Sequence, residues 1–328
     1  MARLRIATFN LESLDDRPDA NPPLADRLGV LRPLLRRIDA DILCLQEVNA
    51  QESENHQWRR FAALDALLER TPYIGYHRAA STGPSGGPAD VHNLVTLSRW
   101  PIAEQRQIRN ELVKAPRYRL TTAVPPPDGG IEVSWERPLL YTAVTLPSGR
   151  HLHVLNLHLR APLAAFIPGQ KLAPFVWKTV GGWAEGFYLS TMKRTGQALE
   201  ARLFVDRLFD SEPDALIAVA GDLNAEARET PVRAIYGDPE DTGNESLAYR
   251  ALTPIETAMP ENRRFSVLHH GLRLMLDHLM VSPQLKRMHR AIDIFNETLP
   301  DEYLAWVRGV QIAGSFHAPV IAEFDIPG

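Results

Sequence analysis

Along this chain, short apolar runs without helical period alternate with a few longer segments in which apolar residues recur every three or four positions. The runs at 4–7, 42–45, 151–155, 215–220 and 272–276 are rich in β-favouring residues and read as strands. Shorter extended segments at 93–97, 139–146 and 151–157 are separated by Pro/Gly turns at 125–130 and 147–149, a spacing that suits mixed and antiparallel pairing. Helical spacing is clearest for Leu24, Leu28, Leu31, Leu34, Leu35 and Ile38, with Arg27, Arg32, Arg36 and Arg37 between them. A second helix is marked by Trp58, Phe61, Leu64, Leu67 and Leu68. A third is marked by Ala198, Leu199, Arg202, Val205, Leu208 and Phe209, opened by Ser190 or Thr191. Helices on the outer faces, with strands stacked on strands inside, give an α/β fold: a four-layer sandwich of two stacked mixed β-sheets flanked by helices.

The strand runs lead into polar islands, in the order Thr8-Phe9-Asn10, Leu45-Gln46-Glu47-Val48, Asn156-Leu157-His158 and Gly221-Asp222-Leu223-Asn224. A C-terminal pair comes next, Leu276-Asp277-His278 and Ser315-Phe316-His317. Strands that end at one edge in Asn, Glu, His and Asp gather groups able to bind a hard cation, activate water and stabilise an oxyanion. Glu47 closes an otherwise apolar strand, where a carboxylate is costly without a cation or partner. Taken alone it reads as a solvated or salt-bridged edge residue. Asn10 offers a neutral oxygen and two donors, or simply a strand-end turn. Asp222 and Asn224 alternate along an extended segment and so project to one side, with Gly221 permitting a tight exit from the strand. In isolation the same residues read as an Asx-turn. His158 and His317 stand near a developing dianion as imidazolium donors, whereas His278 points the other way and is structural.

In this order, and with Leu97-Ser98-Arg99-Trp100-Pro101-Ile102 between the second and third, the islands resemble the endonuclease/exonuclease/phosphatase superfamily from Ile6 to Phe324. The resemblance implies a Mg²⁺-dependent phosphoester hydrolase, with Mn²⁺ as a substitute. It makes Glu47 the principal metal ligand, with Asn10 beside it, and assigns Asp222 to orienting or deprotonating the attacking water. Asn224 stabilises charge on the phosphorane-like transition state, and His317, held by Asp277, serves as general acid/base or oxyanion stabiliser. His158 joins this catalytic set. Arg137 resembles an Arg that holds the substrate phosphate in nucleases of the family, and His270 is the second candidate for substrate contact. One island departs: Ser315-Phe316-His317 stands where relatives have Ser-Asp-His, so a carboxylate is missing near the cation, with Glu12, Asp15 and Asp16 as nearby acids. Two classes of function remain open. One is a metal-dependent phosphodiesterase, most simply a nuclease, or alternatively a phosphatase or phospholipid-headgroup phosphodiesterase. The other is a binding module that lost activity, for which Phe316 is the sole sign.

Composition changes this picture little. The islands span the first ten to the last fifteen of 328 residues, so residues 1–328 are expected to form one domain. A net charge of −4 provides no cationic footprint for nucleic acid, which leaves a phosphate ester as the expected partner, with nucleic acid among the candidates. The lone Cys44 excludes an intramolecular disulfide. There is no apolar leader and no run near the roughly 18 residues that span a bilayer, so a soluble, cytoplasmic monomer is expected. An insertion at about 160–190 holds Phe166, Phe175, Trp177, Trp183, Phe187 and Tyr188 with Lys171 and Lys178. It reads as a docked loop with its own small core, or as a lid over substrate.

Overall fold

Alternation along each strand sorts side chains between two apolar layers. In the computed structural model, which describes residues 2–53 and 57–327, Leu4 and Ile6 of strand Ala2–Leu14 face one layer while Ala7 and Phe9 face another. The first layer lies between two sheets, where Leu4, Ile6, Ile42 and Cys44 meet Val144, Leu152, Val154, Leu216 and Ala218. On the outer side of the first sheet, Leu31, Leu35 and Ile38 of helix Leu24–Ile38 pack with Leu64 and Leu67 of helix Ala62–Leu68. On the outer side of the second, helix Val180–Ser211 contributes Ala198, Ala201, Phe204, Val205 and Phe209. The four-layer sandwich is therefore present, each layer held by burial of about 25 cal/mol per Å² of apolar surface.

Both sheets have six strands. The first runs His289–Ile294, Val320–Ile326, Ala2–Leu14, Ile42–Val48, Asn93–Ser98, His77–Ala80. The second runs Thr253–Pro254, Asp277–Val281, Leu216–Asp222, His151–His158, Leu139–Thr145, Ile102–Ile108. Ala2–Leu14 with Ile42–Val48, and His151–His158 with Leu216–Asp222, are parallel; the other pairs are antiparallel. The parallel pairs carry their chain ends to a common edge, where the inter-sheet face turns polar: Thr8 and Asn10, Gln46, Asn156 and His158, Asp222.

Several expectations are corrected. Asp277 opens its strand instead of ending one; because Asp277–Val281 runs antiparallel to Leu216–Asp222, its first residue still lies opposite Asp222. The third helix starts at Val180, capped by Thr179 Oγ1 on the Gly182 amide at 2.9 Å, not at Ser190 or Thr191. Its first turns contain Gly181, Gly182 and Gly186, which hide helical period, and Gly186 is required by contact: a Cβ there would lie 2.4 Å from the Ala165 carbonyl oxygen. The second helix begins at Ala62 because Arg60 is drawn into an extended bridge with Gln51. The insertion is docked with its own small core, Ile167 and Leu189 packing on Leu120, Ala123 and Val133. The Glu185 carboxylate receives the Thr121 and Thr122 amides at 2.6 and 2.9 Å. Among the described residues no helix is long and apolar enough to cross a membrane.

Gly221 sits at φ 147°, where a Cβ would lie 1.9 Å from the Leu157 carbonyl oxygen on the neighbouring strand. Gly221→Ala should therefore destabilise by about 3 kcal/mol or more, since backbone strain and a backbone clash add. Chemical denaturation measures this, and a loss below about 1 kcal/mol would show that the two strands separate without cost.

Candidate active site

The polar edge is built from both sheets upon a floor of buried amides. Gln46 Nε2 donates to Asn156 Oδ1 at 2.7 Å and to Thr8 Oγ1 at 3.0 Å, and Asn156 Nδ2 donates to the Val95 carbonyl at 3.1 Å. Above it, Asp222 is the hub. Its Oδ2 accepts from Asn10 Nδ2 at 3.0 Å across the sheets and from Asn224 Nδ2 at 3.1 Å, and lies 3.4 Å from His158 Nε2 and 4.0 Å from His317 Nε2. Its Oδ1 accepts the Asn224 amide at 2.9 Å. Asn224 does not extend the strand: its φ of 49° closes an Asx-turn on Asp222, so both side chains meet by folding back, not by alternation. His317 Nδ1 is 2.7 Å from Asp277 Oδ2, and its loop is tied down by Ser315 Oγ, which donates to the Asn10 carbonyl at 2.8 Å.

Charge is arranged asymmetrically. Burial opposes protonation of His317, but the Asp277, Asp222 and Glu47 carboxylates outweigh it and push the imidazole up to about 10. His158 goes the other way: burial, reinforced by Arg137, holds it below its ordinary value although Asp222 and Glu47 pull upward. Of the two imidazolium donors expected from the sequence, only His317 is charged near neutral pH. Burial alone would raise Asp222, yet His317, His158 and the Asn224 amide hold it below the usual carboxylate range.

Glu47 adopts φ 56° at an irregularity in its ladder and turns its carboxylate into this edge. Oε1 lies 3.6 Å from His158 Nε2, and Oε2 accepts from the Ser13 amide at 3.0 Å and lies 3.8 Å from His92 Nδ1. Burial raises its pKa, and His158, His92, Arg137 and His317 more than offset that. Of the three acids near the departing island, Glu12 is tied to it: its Oε2 accepts the Phe316 amide at 2.7 Å. Burial and Glu47 raise the Glu12 pKa. Glu12 and Ser13 form a left-handed bulge in the first strand at φ 49° and 52°, held by the buried Arg27 guanidinium, which donates to the carbonyls of Leu11, Glu12, Ser13 and Gly314. His92 and Arg27 were missed in the sequence. His92 stands just before strand Asn93–Ser98, antiparallel to the Glu47 strand, and only attention to strand starts would have found it.

The sequence matches the profile of the Endonuclease/Exonuclease/phosphatase family over residues 7–297. The chain belongs to this family. It is a family of phosphoester hydrolases, typically dependent on a divalent metal. Similar solved structures include humanized D. rerio TDP2, 16% identical with TM-score 0.57 and 99% of each chain covered. Truncated Caenorhabditis elegans TDP2 is 15% identical, with TM-score 0.59, 99% of this chain and 98% of that chain covered. The 3′ phosphatase NExo from Neisseria, bound to product DNA hairpin, is 19% identical, with TM-score 0.54 and coverage of 98% and 100%. At these identities the likeness is one of fold. No curated protein matches the chain.

Within the family frame, Asn10, Glu47, His158, Asp222, Asn224, Asp277 and His317 are brought together, and Arg137 stands close enough for its charge to act on Glu47 and Asp222. His270 is not with them. It sits exposed on the turn of hairpin Val267–His269/Leu272–Leu274, its ring 4.5 Å from Tyr303 and its amide on Asp301. Two groupings offer themselves to a metal. Asp222, Asp277 and His317 present ligand atoms within 4.8 Å of one another, but His317 is already paired with Asp277 and charged, which opposes a cation there. The second is Glu47, the ligand the family resemblance implies, with Glu12 near enough for the two carboxylates to act on each other and with Asn10 Oδ1 accepting the Glu12 amide at 2.8 Å.

The pairing of His317 predicts a pH dependence of stability. Its folded pKa of about 10 exceeds the ordinary 6.5, so its charge contributes fully below pH 6.5, and the contribution is lost as pH rises through 10. The melting temperature should fall across that window, and Asp277→Asn should lower it at pH 6.5 and flatten the fall. Parallel curves for parent and variant would refute the assignment.

Proposed function

We propose that residues 1–328 form one catalytic domain that hydrolyses phosphodiesters by attack of water on phosphorus, with Mg²⁺ as cofactor and Mn²⁺ as a substitute. The observation that carries this reading is the convergence on Asp222: amides of Asn10 and Asn224, neutral His158 and cationic His317 surround one buried carboxylate that faces Glu47. A carboxylate held this acidic orients a water by accepting its hydrogen bond more effectively than it removes a proton. His317, still protonated near neutral pH, stabilises charge on the phosphoryl oxygens and delivers a proton to the leaving oxygen, the attacking water's proton goes to solvent, from which the imidazole is recharged, and Asp277 holds the ring in place. Asn224 is committed to Asp222 and to the Leu159 carbonyl at 3.1 Å, so it positions the carboxylate. Glu47, Glu12 and Asn10 would hold the cation, which when bound supplies Lewis-acid stabilisation of the phosphate charge. Arg137 adds a second positive charge.

Nucleic acid is the favoured substrate class. The Neisseria neighbour is bound to product DNA hairpin, and D. rerio TDP2 has been captured with single strand DNA product. Because the Neisseria protein is a 3′ phosphatase, a phosphomonoester at a DNA end is the second reading. A module without activity is disfavoured, because its one sign, Phe316, is answered by Glu12 on the Phe316 amide.

The test is a hydrolysis panel in Mg²⁺ or Mn²⁺ covering a bis-aryl phosphate, plasmid, single-stranded DNA, RNA, sphingomyelin and phosphoinositides. Glu47→Gln should lower turnover by orders of magnitude at an unchanged or raised melting temperature. Glu12→Gln should weaken Mn²⁺ binding, read by calorimetry, about tenfold, because ligand charge sets divalent affinity. Full activity of Glu47→Gln in excess metal, or unaltered Mn²⁺ affinity in Glu12→Gln, would remove these residues from the metal site.

A further inference from the structure

Beside Glu47, across His92, opens a cavity of about 600 Å³ whose lining includes Ser81, Thr82, His92, Arg109, Arg137 and Arg160. Three guanidinium groups face it, and among the described residues none is paired with a carboxylate. Arg109 donates to the Glu136 carbonyl at 3.1 Å and Arg137 to the Leu159 carbonyl at 3.2 Å. The Arg160 guanidinium has no hydrogen-bond partner among the described residues, and its Nε is buried. The one acid in the lining, Glu136, is engaged by Lys193. Arg27, Arg194 and Arg202 also bury Nε without a partner but spend other donors on carbonyls, whereas the Arg160 head has none, which leaves its donors for a ligand. Arg137 and Arg160 also act on each other as like charges, a repulsion that an anion between them would relieve.

We propose that this cavity is a subsite for a second phosphate of the substrate, flanking the one that is hydrolysed, so that the enzyme selects substrates carrying at least two phosphates. The proposal rests on the phosphoester reading above and narrows it. A guanidinium fork matches phosphate oxygens two at a time, which a lysine at the same place would not do. Arg137 is common to the two positions: it lines the cavity with Arg160, and its charge is felt by Glu47 and Asp222. The cavity thus adjoins the reacting centre through His92 and Arg137, and its arginines call for an anion beside an apolar wall that includes Val91, Trp135 and Pro138.

The test compares dithymidylate with and without a 5′-phosphate, and 1,6-hexanediol bisphosphate with hexyl phosphate, in the parent and in Arg160→Gln. The parent should favour the more highly phosphorylated member of at least one pair by about tenfold or more in kcat/KM, and the substitution should bring that ratio towards one. The pair that shows the preference tells whether the second phosphate belongs to a nucleic acid or to a small bisphosphate. Independently of turnover, pyrophosphate binding to the metal-free protein, measured by calorimetry, should weaken about tenfold in Arg160→Gln at an unchanged melting temperature. Arg109→Gln serves as the second variant if Arg160→Gln fails to fold. Equal substrate ratios in parent and variant, or unchanged pyrophosphate affinity, overturn the subsite. If the parent hydrolyses neither these compounds nor any member of the hydrolysis panel above while pyrophosphate binding still depends on Arg160, the phosphoester reading has failed and the anion subsite stands.

Discussion

Two sheets packed through apolar side chains alone are free to slide, because apolar contact is non-directional. Here the apolar layer ends in a row of buried amides that cannot be left without partners, and the partners lie on the opposite sheet. Gln46 reaches Asn156 and Asn10 reaches Asp222, so each sheet satisfies polar groups of the other. A shift of one residue would strand both pairs at once. That constraint sets the relative position of every group above it: His158 stands two residues beyond Asn156, Glu47 one beyond Gln46, and Asp222 is itself one of the bonds.

Charges assembled this way must be balanced before any ligand arrives, and the balance is local. Asp222 and Asp277 enclose one imidazolium, His317, while His158 is left neutral by burial and by Arg137. The remaining excess is separated in space. Glu12 and Glu47 act on each other as like charges at the end of the first sheet, and three arginines line the cavity beyond His92. Like charges therefore stand together at two neighbouring places. On the proposed function, a cation at the first and a phosphate at the second would each relieve repulsion, and each would favour its counterpart by supplying the opposite charge.

Hydrophobic period and strand ends were the features legible in the sequence. The sandwich, the first helix and the side chains that terminate parallel strands, Asn10, Glu47, His158 and Asp222, could be read because an apolar run points straight at them. Residues at the starts of antiparallel strands were harder to read. Asp277 was recovered only through the family order, and His92 was missed, although both lie beside residues that were found. Arg27 was hidden for another reason: on a helix rich in arginines it looked like one more solvated charge, and only the chain fold shows its guanidinium gathering three carbonyls of the first strand's bulge and that of Gly314. The extended reading of Asp222 to Asn224 failed because a carboxylate two residues before an amide can close its own turn, and here it does.

At Phe316, where the family resemblance implies an acid, the loop backbone is tied to the first strand. A carboxylate from the loop before His317 and one from a bulge in the first strand can occupy the same region only if the two backbones are held together. The bond from the Phe316 amide to Glu12 and the Arg27 clamp on the same bulge do this. Ser315 completes the seam by donating to the Asn10 carbonyl. The Phe316 amide thus has a structural task that does not depend on its side chain.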